Sequence, residues 1–133
     1  MRNIIFRGKR INRNGEWGYG DLRRYKENWW IFPNHRAAAY DADMVDPETV
    51  GQYVGIIDKN GNRVFEGDVV DIARLGRYEV KYDKYGCAAL LKEGEHHTLP
   101  FTSYGFFIDR KNMVVVGNIY DNPELLTKNP SDL

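Results

Sequence analysis

The chain has 133 residues, 42% of them hydrophobic and 14% aromatic, with 19 basic residues balancing 19 acidic ones and a single cysteine. That length holds one domain, or two small subdomains sharing a core. Zero net charge argues against a dedicated nonspecific nucleic-acid binder, one cysteine excludes an internal disulfide, and no run approaches the ~20 apolar residues of a membrane-spanning helix.

Asn3 to Gly8 reads as a first strand through Ile4, Ile5 and Phe6, followed by a turn over Asn12 to Gly15. Residues 17–25 and 28–32 form a predicted hairpin around Lys26-Glu27, in which Gly18 and Gly20 allow a bulge or a close backbone approach. Pro33 to Pro47 shows no sustained period and reads as a connection between an N-terminal β-subdomain and a C-terminal barrel. From Val50 to Ile57 the apolar positions fit a strand covered on both faces, and Asn60-Gly61 fits a type I′ turn. Arg63 to Phe65 returns along the partner strand. Glu66-Gly67-Asp68 reverses the chain again before Val69, Val70 and Ile72. Tyr78, Val80 and Tyr82 alternate with Glu79, Lys81 and Asp83, as on a half-buried strand. Cys87 to Lys92 pairs back, with the thiol expected as a small buried hydrophobe. An aromatic-rich stretch from His97 to Ile108 precedes Met113–Tyr120, the most hydrophobic run of the chain and the expected central strand. Asn122 and Pro123 suit an N-cap and first helical position, so Pro123 to Leu126 should form one helical turn. Leu125 and Leu126 are expected to plug the open end of a barrel. Three closely spaced strands with tight turns after Val50 predict a meander that curls into a small barrel. The expected fold class is therefore all-β. Residues 1–45 form the N-terminal β-hairpin subdomain and linker, and residues 46–133 the small β-barrel.

Three blocks carry a family resemblance. They are Phe6-Arg7-Gly8-Lys9 with Trp17-Gly18-Tyr19-Gly20-Asp21-Leu22, then T-V-G-Q-Y-V-G, D-K-N-G and F-E-G-D-V-V between Thr49 and Val70, and finally Gly117-Asn118-Ile119-Tyr120-Asp121-Asn122-Pro123-Glu124-Leu125-Leu126. In this order and spacing they resemble the YopX family of phage and prophage proteins. The resemblance implies a phage or prophage origin, a bacterial host cytoplasm and an SH3-like C-terminal barrel. It carries over no activity, cofactor or active site. The absence of an apolar run after Met1 agrees with a cytoplasmic expectation, since no signal peptide is indicated.

Catalytic and metal readings find little support. His96 and His97 are adjacent on a predicted strand and point to opposite faces, while His35 and Cys87 lie far away in sequence, so no zinc spacing arises. Asp68 follows a turn, where a carboxylate accepts backbone N–H bonds, and that structural role accounts for it better than catalysis. Gly18-x-Gly20 lacks the length, helix and lysine of a phosphate loop. No enzyme activity, cofactor or metal is expected.

Charge is uneven along the chain. Residues 1–26 carry eight basic against two acidic side chains, +6, whereas residues 38–71 carry two basic against eight acidic, −6. Such segments can pack on each other, meet across subunits, or present an anion-binding face. The basic segment also carries aromatics: Arg7, Lys9, Arg10, Arg23 and Arg24 accompany Trp17, Tyr19, Tyr25, Trp29 and Trp30. Arginines can neutralise phosphates while exposed rings stack on bases. One of Trp29 and Trp30 must face away from the local core and pack on the rest of the chain, a second subunit or a ligand. The candidate binding residues are thus Arg7, Lys9, Arg10, Arg23, Arg24, Trp29 and Trp30. The expected partner is a second copy of the chain or a phage or host protein; nucleic acid is the alternative.

Overall fold

The computed structural model describes residues 4–34, 36–38, 41–84, 86, 88–92, 95–98, 102–103, 106–107 and 112–126. The chain divides into two compact units, Met1–Gly55 and Ile56–Leu133, and both are antiparallel β-structures. The helical elements that border the strands are short 3-10 turns at Pro47–Thr49 and Pro123–Leu126. No helix among the described residues is long and apolar enough to cross a membrane.

In the N-terminal unit, β1 (Phe6–Lys9), β2 (Trp17–Tyr25), β3 (Asn28–Phe32), β4 (Asp43–Val45) and β5 (Gly51–Ile57) lie in the order β4-β3-β2-β1-β5. The hairpin of β2 and β3 closes around Lys26-Glu27 as expected, with Tyr25 opposite Asn28, and Lys26 takes a positive φ of 56°. β4 is a difference from the sequence expectation, which left residues 33–47 without a strand. Three residues are too few to show a period, but tertiary pairing defines them. Met44 lies opposite Trp30 in β3, and the same strand reaches the end of β1 through an Arg10–Val45 bridge. Backbone bonds from Ile11 N–H to the Met44 carbonyl and from Asp46 N–H to the Lys9 carbonyl, both 2.9 Å, secure that closure. The sheet therefore curls until its first strand meets its fourth. Ile31 and Val45 are buried inside the curl. Gly8 lets β4 approach, because a Cβ there would lie 3.0 Å from Cβ of Val45.

The unit boundary falls inside β5, whereas the sequence pattern suggested 45/46. The reason is pairing: Gly51 and Gln52 lie opposite Arg7 and Phe6 of β1, which holds the start of β5 in the N-terminal unit.

In the C-terminal unit, β6 (Arg63–Phe65), β7 (Asp68–Ile72), β8 (Gly76–Tyr82), β9 (Ala88–Lys92), β10 (Glu95–Thr98) and the two-residue strands β11 (Thr102–Ser103) and β12 (Phe106–Phe107) precede β13 (Met113–Asn118). The larger sheet has the order β10-β9-β8-β7-β13. Val69 and Val70 point to opposite faces of β7, and both are fully buried, so this strand is covered on both sides. With Val64, Ile72, Tyr78, Val80, Leu90 and Met113 they form the core. Each such side chain contributes about 1.5–3 kcal/mol by leaving water. His35 and Cys87 lie outside the described residues, as does most of the stretch from Pro100 to Lys111.

β13 is not central. It borders the sheet beside β7, and its register shifts between Val115 and Gly117, leaving Val116 39% exposed. Its outer edge is sealed by the β5–β6 hairpin. Lys59 N–H bonds the Met113 carbonyl at 2.9 Å, and Val115 N–H donates to Asp58 Oδ2 at 2.9 Å. An apolar run here thus marks a strand whose edge is covered by a turn, one way proteins blunt exposed edges.

That hairpin also departs from the expected type I′ turn. Gly61 N–H bonds the Asp58 carbonyl at 3.1 Å and Asp58 N–H bonds the Asn62 carbonyl at 2.8 Å. Gly61 has φ +84°, while Asn60 has no positive φ. This is a type I turn followed by a left-handed glycine. The carboxylate of Asp58 selects it by accepting from Asn60 N–H at 2.9 Å and Asn62 N–H at 2.8 Å.

Candidate interaction site

The β2–β3 hairpin places the predicted basic and aromatic residues opposite one another: Arg23 faces Trp30 and Arg24 faces Trp29. Between them the N-terminal unit carries a groove of about 400 Å³, lined by Arg23, Arg24, Tyr25, Trp30, Phe32 and Ala42. Three of these, Tyr25, Phe32 and Ala42, were not among the candidate site residues. Phe32 and Ala42 carry no signal of their own; the pairing of β2 with β3 brings Phe32 to the arginines, and the pairing of β3 with β4 brings Ala42.

The arginines are already engaged with rings of their own chain. The Arg23 guanidinium lies 4.1 Å from the Phe32 ring centre, Arg24 5.7 Å from Trp29, and Arg7 4.6 Å from Trp17. Each such contact is worth about 0.5–1 kcal/mol at an exposed site. Arg23 also approaches Asp21 at 3.5 Å. Among the described residues, Arg24 has no acidic partner. The indole Nε1 of Trp30 is buried and lacks an acceptor among the described residues.

The remaining candidates sit elsewhere in the unit. Arg7 is only 5% exposed. Lys9 shares the Trp17 ring with it, 5.6 Å from the centre, and its backbone N–H donates to Thr49 Oγ1 at 2.9 Å. Arg10 pairs with Asp43 at 3.1 Å and with Glu16 at 3.5 Å. The Arg10–Asp43 pair joins the basic N-terminal segment to the acidic one within a single chain, so part of the charge asymmetry is neutralised internally. The structure thus brings Arg23, Arg24 and Trp30 to the lining of one groove, which does not include Trp29, and places Arg7, Lys9 and Arg10 in the packing of β1.

The other carboxylates singled out build turns. Asp58 is completely buried. Burial by itself pushes its carboxyl up, but bonds from the backbone N–H groups of Val115, Asn62 and Asn60, with the Asn62 side chain, outweigh that effect and hold it below the ordinary carboxyl value. Asp68 accepts the Phe65 N–H at 2.7 Å across the Glu66-Gly67 turn, the structural role its position suggested. At the chain's end, Asn118 Oδ1 accepts from Tyr120 N–H at 3.0 Å and Asp121 N–H at 2.8 Å. The side-chain oxygen of Asn122 accepts the Asn118 N–H at 3.3 Å, and Leu125 packs against Gly117. Leu126, expected to plug a barrel, is 37% exposed.

The YopX protein family model matches residues 7–127. The chain belongs to the YopX family. The crystal structure of protein EF1440 from Enterococcus faecalis is similar, with a TM-score of 0.52 and 18% identity over 96% of this chain and 100% of that one. At that identity the likeness is one of β-fold alone. No curated protein matches the chain. The residues quoted from this YopX chain for the family pattern fall largely on its turns: Asp58 to Gly61, Phe65 to Asp68, and Asn118 to Leu126.

Proposed function

We propose that this YopX protein is a non-enzymatic interaction module of phage or prophage origin, acting in the cytoplasm of its bacterial host and docking a partner protein in the β2–β3 groove. The C-terminal unit serves as its scaffold, read as a small SH3-like barrel on the burial of both faces of β7. The observation that carries the proposal is the groove itself, lined by Tyr25, Trp30, Phe32 and Ala42 together with Arg23 and Arg24. Its described lining holds no carboxylate or imidazole to act as a general base, which favours binding over chemistry.

The ring contacts weigh against nucleic acid. Base stacking supplies about 1–3 kcal/mol per base on an open ring. Here the guanidinium groups lie over Phe32, Trp29 and Trp17, so a base must first displace them. Two charges in the lining also give a weak electrostatic grip, with a salt slope of no more than about −2.

The test is the double variant Arg23→Glu/Arg24→Glu, followed by sedimentation, thermal melting and gel shift. The proposal expects a melting temperature lowered by only the few degrees that two exposed ring contacts account for, and no salt-sensitive gel shift with the unaltered protein. A wild-type gel shift abolished in the variant would install the nucleic-acid alternative. A wild-type assembly that falls to monomer in the variant, most clearly at low salt where screening is least, would identify a second copy as the partner.

A further inference from the structure

We infer that Asn14-Gly15 is a site of spontaneous modification, at which the asparagine carboxamide becomes a carboxylate, while the second Asn-Gly pair is protected by its turn. The chain holds two such pairs, Asn14-Gly15 and Asn60-Gly61. A glycine nitrogen carries no side chain beside it to hinder approach to the carboxamide of the preceding residue. The nitrogen attacks Cγ, the N–Cγ bond forms as the Cγ–Nδ2 bond breaks, and the glycine amide proton leaves with the side-chain nitrogen as ammonia. Water then opens the cyclic imide at either carbonyl, giving aspartate or its β-linked isomer. Water is the sole co-reactant, and no group is oxidised or reduced.

Both asparagines are exposed and lie in turns, but the turns differ in how they hold the attacking nitrogen. Attack requires the glycine N–H to release its proton and the peptide joining the two residues to rotate. Gly61 N–H is bonded to the Asp58 carbonyl at 3.1 Å. The Asp58 carboxylate also holds the N–H groups on either side, Asn60 at 2.9 Å and Asn62 at 2.8 Å. Rotation there breaks the first bond and strains the other two. In the β1–β2 turn, Arg13 N–H bonds the Arg10 carbonyl at 3.4 Å, Glu16 N–H the Arg13 carbonyl at 2.9 Å and Arg10 N–H the Glu16 carbonyl at 2.8 Å. These bonds frame Asn14 and Gly15 without using the N–H of either, and neither has an acceptor among the described residues. The peptide between them therefore rotates without breaking a hydrogen bond. Lys9 adds a second difference, since its Nζ lies 3.8 Å from where a Cβ on Gly15 would stand. An ammonium there favours the deprotonated amide and the oxyanion formed as Cγ is attacked.

The test is incubation of the folded full-length protein at mildly alkaline pH, followed by proteolysis and peptide mass spectrometry. An isoaspartyl methyltransferase marks the β-linked product. Asn14 should convert about fivefold or more faster than Asn60, the factor that one lost hydrogen bond implies. In urea the two rates should converge, because the protection of Asn60 lies in the fold and not in the dipeptide. Lys9→Gln, verified as folded by circular dichroism, should slow conversion at Asn14 severalfold and leave Asn60 unchanged. An unaltered rate at Asn14 in that variant would overturn the part given to Lys9. Equal rates in the folded protein, faster conversion at Asn60, or an Asn14 that stays intact while the urea-unfolded chain converts would overturn the site itself.

Discussion

Asp58→Ala is expected to cost more stability than any surface change of equal size. The side chain is completely buried and accepts four hydrogen bonds: from the N–H groups of Val115, Asn60 and Asn62 at 2.9, 2.9 and 2.8 Å, and from Asn62 Nδ2 at 3.5 Å. A bond to a charged acceptor contributes about 1.5–3 kcal/mol net, and an ordinary one about 0.5–1.5. Asn60 and Asn62 are exposed residues whose N–H groups can turn to water once the carboxylate is gone, so each loses the smaller amount. Val115 N–H lies on the half-buried side of β13 and loses the larger. The total is about 2.5–6 kcal/mol, set against a stability of ~5–15. With an unfolding entropy of about 2.1 cal/mol/K per residue, a chain of 133 residues loses about 3.6 °C per kcal/mol, so the melting temperature should drop by about 9–21 °C. The pH dependence adds an independent check. A carboxyl held below its unfolded value stabilises fully above about pH 4 and loses that contribution as pH falls through the folded value. The gap between wild type and variant should therefore be constant near neutrality and shrink toward acid. Differential scanning calorimetry from pH 7 to pH 3 measures both. An unchanged melting temperature at neutral pH, or a gap that persists unchanged in acid, would refute the assignment of Asp58 as the clamp on β13.

Substitutions at four further positions probe the same architecture. Gly61→Val should destabilise by about 1 kcal/mol or more, because a β-branched residue is strained at φ +84°; no neighbour lies within 4 Å of the added Cβ, so Gly61→Asn should recover most of the loss in a urea titration. Gly117→Ala places a methyl 2.5 Å from Asn122 Oδ1 and 2.6 Å from Leu125 Cδ1, and should loosen Pro123–Leu126, seen as faster amide exchange at Leu125, whose N–H bonds the Asn122 carbonyl at 3.0 Å. Val70→Asp should prevent soluble expression, since an unpaired carboxylate in a fully buried site costs several kcal/mol; Val115→Asp, on the half-exposed border strand, should remain soluble with a lowered melting temperature.

Much of the β-structure was legible because period two and glycine turns are local signals. The hairpin at Lys26-Glu27, the reversal at Glu66-Gly67 with Asp68 bonding Phe65 N–H, and the turn beginning at Pro123 all arise from short stretches of chain. The family blocks were equally readable, and their positions explain why they disclose so little chemistry: Asp58, Asp68, Asn118 and Asn122 spend their polar atoms on backbone N–H groups.

Long-range pairing was not readable. β4 has three residues and no period, yet the backbone of β1 and β3 makes it the closing strand of the N-terminal sheet. The apolar run after Met113 suggested a central strand, because burial alone cannot tell a strand flanked by two others from one flanked by a strand and a turn. Similarly, charge counting placed Arg7, Lys9, Arg10, Arg23 and Arg24 in one basic patch, but register separates them. Arg7 is buried under Trp17, Arg10 is paired with Asp43, and only Arg23 and Arg24 reach the groove with Trp30. Composition and spacing thus determined that this chain is all-β with turns at particular residues, since those preferences act within a few positions of the backbone, and the resemblance of its sequence blocks gave the YopX family. Which arginines meet which rings depends on strand register between segments distant in sequence, and only the tertiary structure decides that.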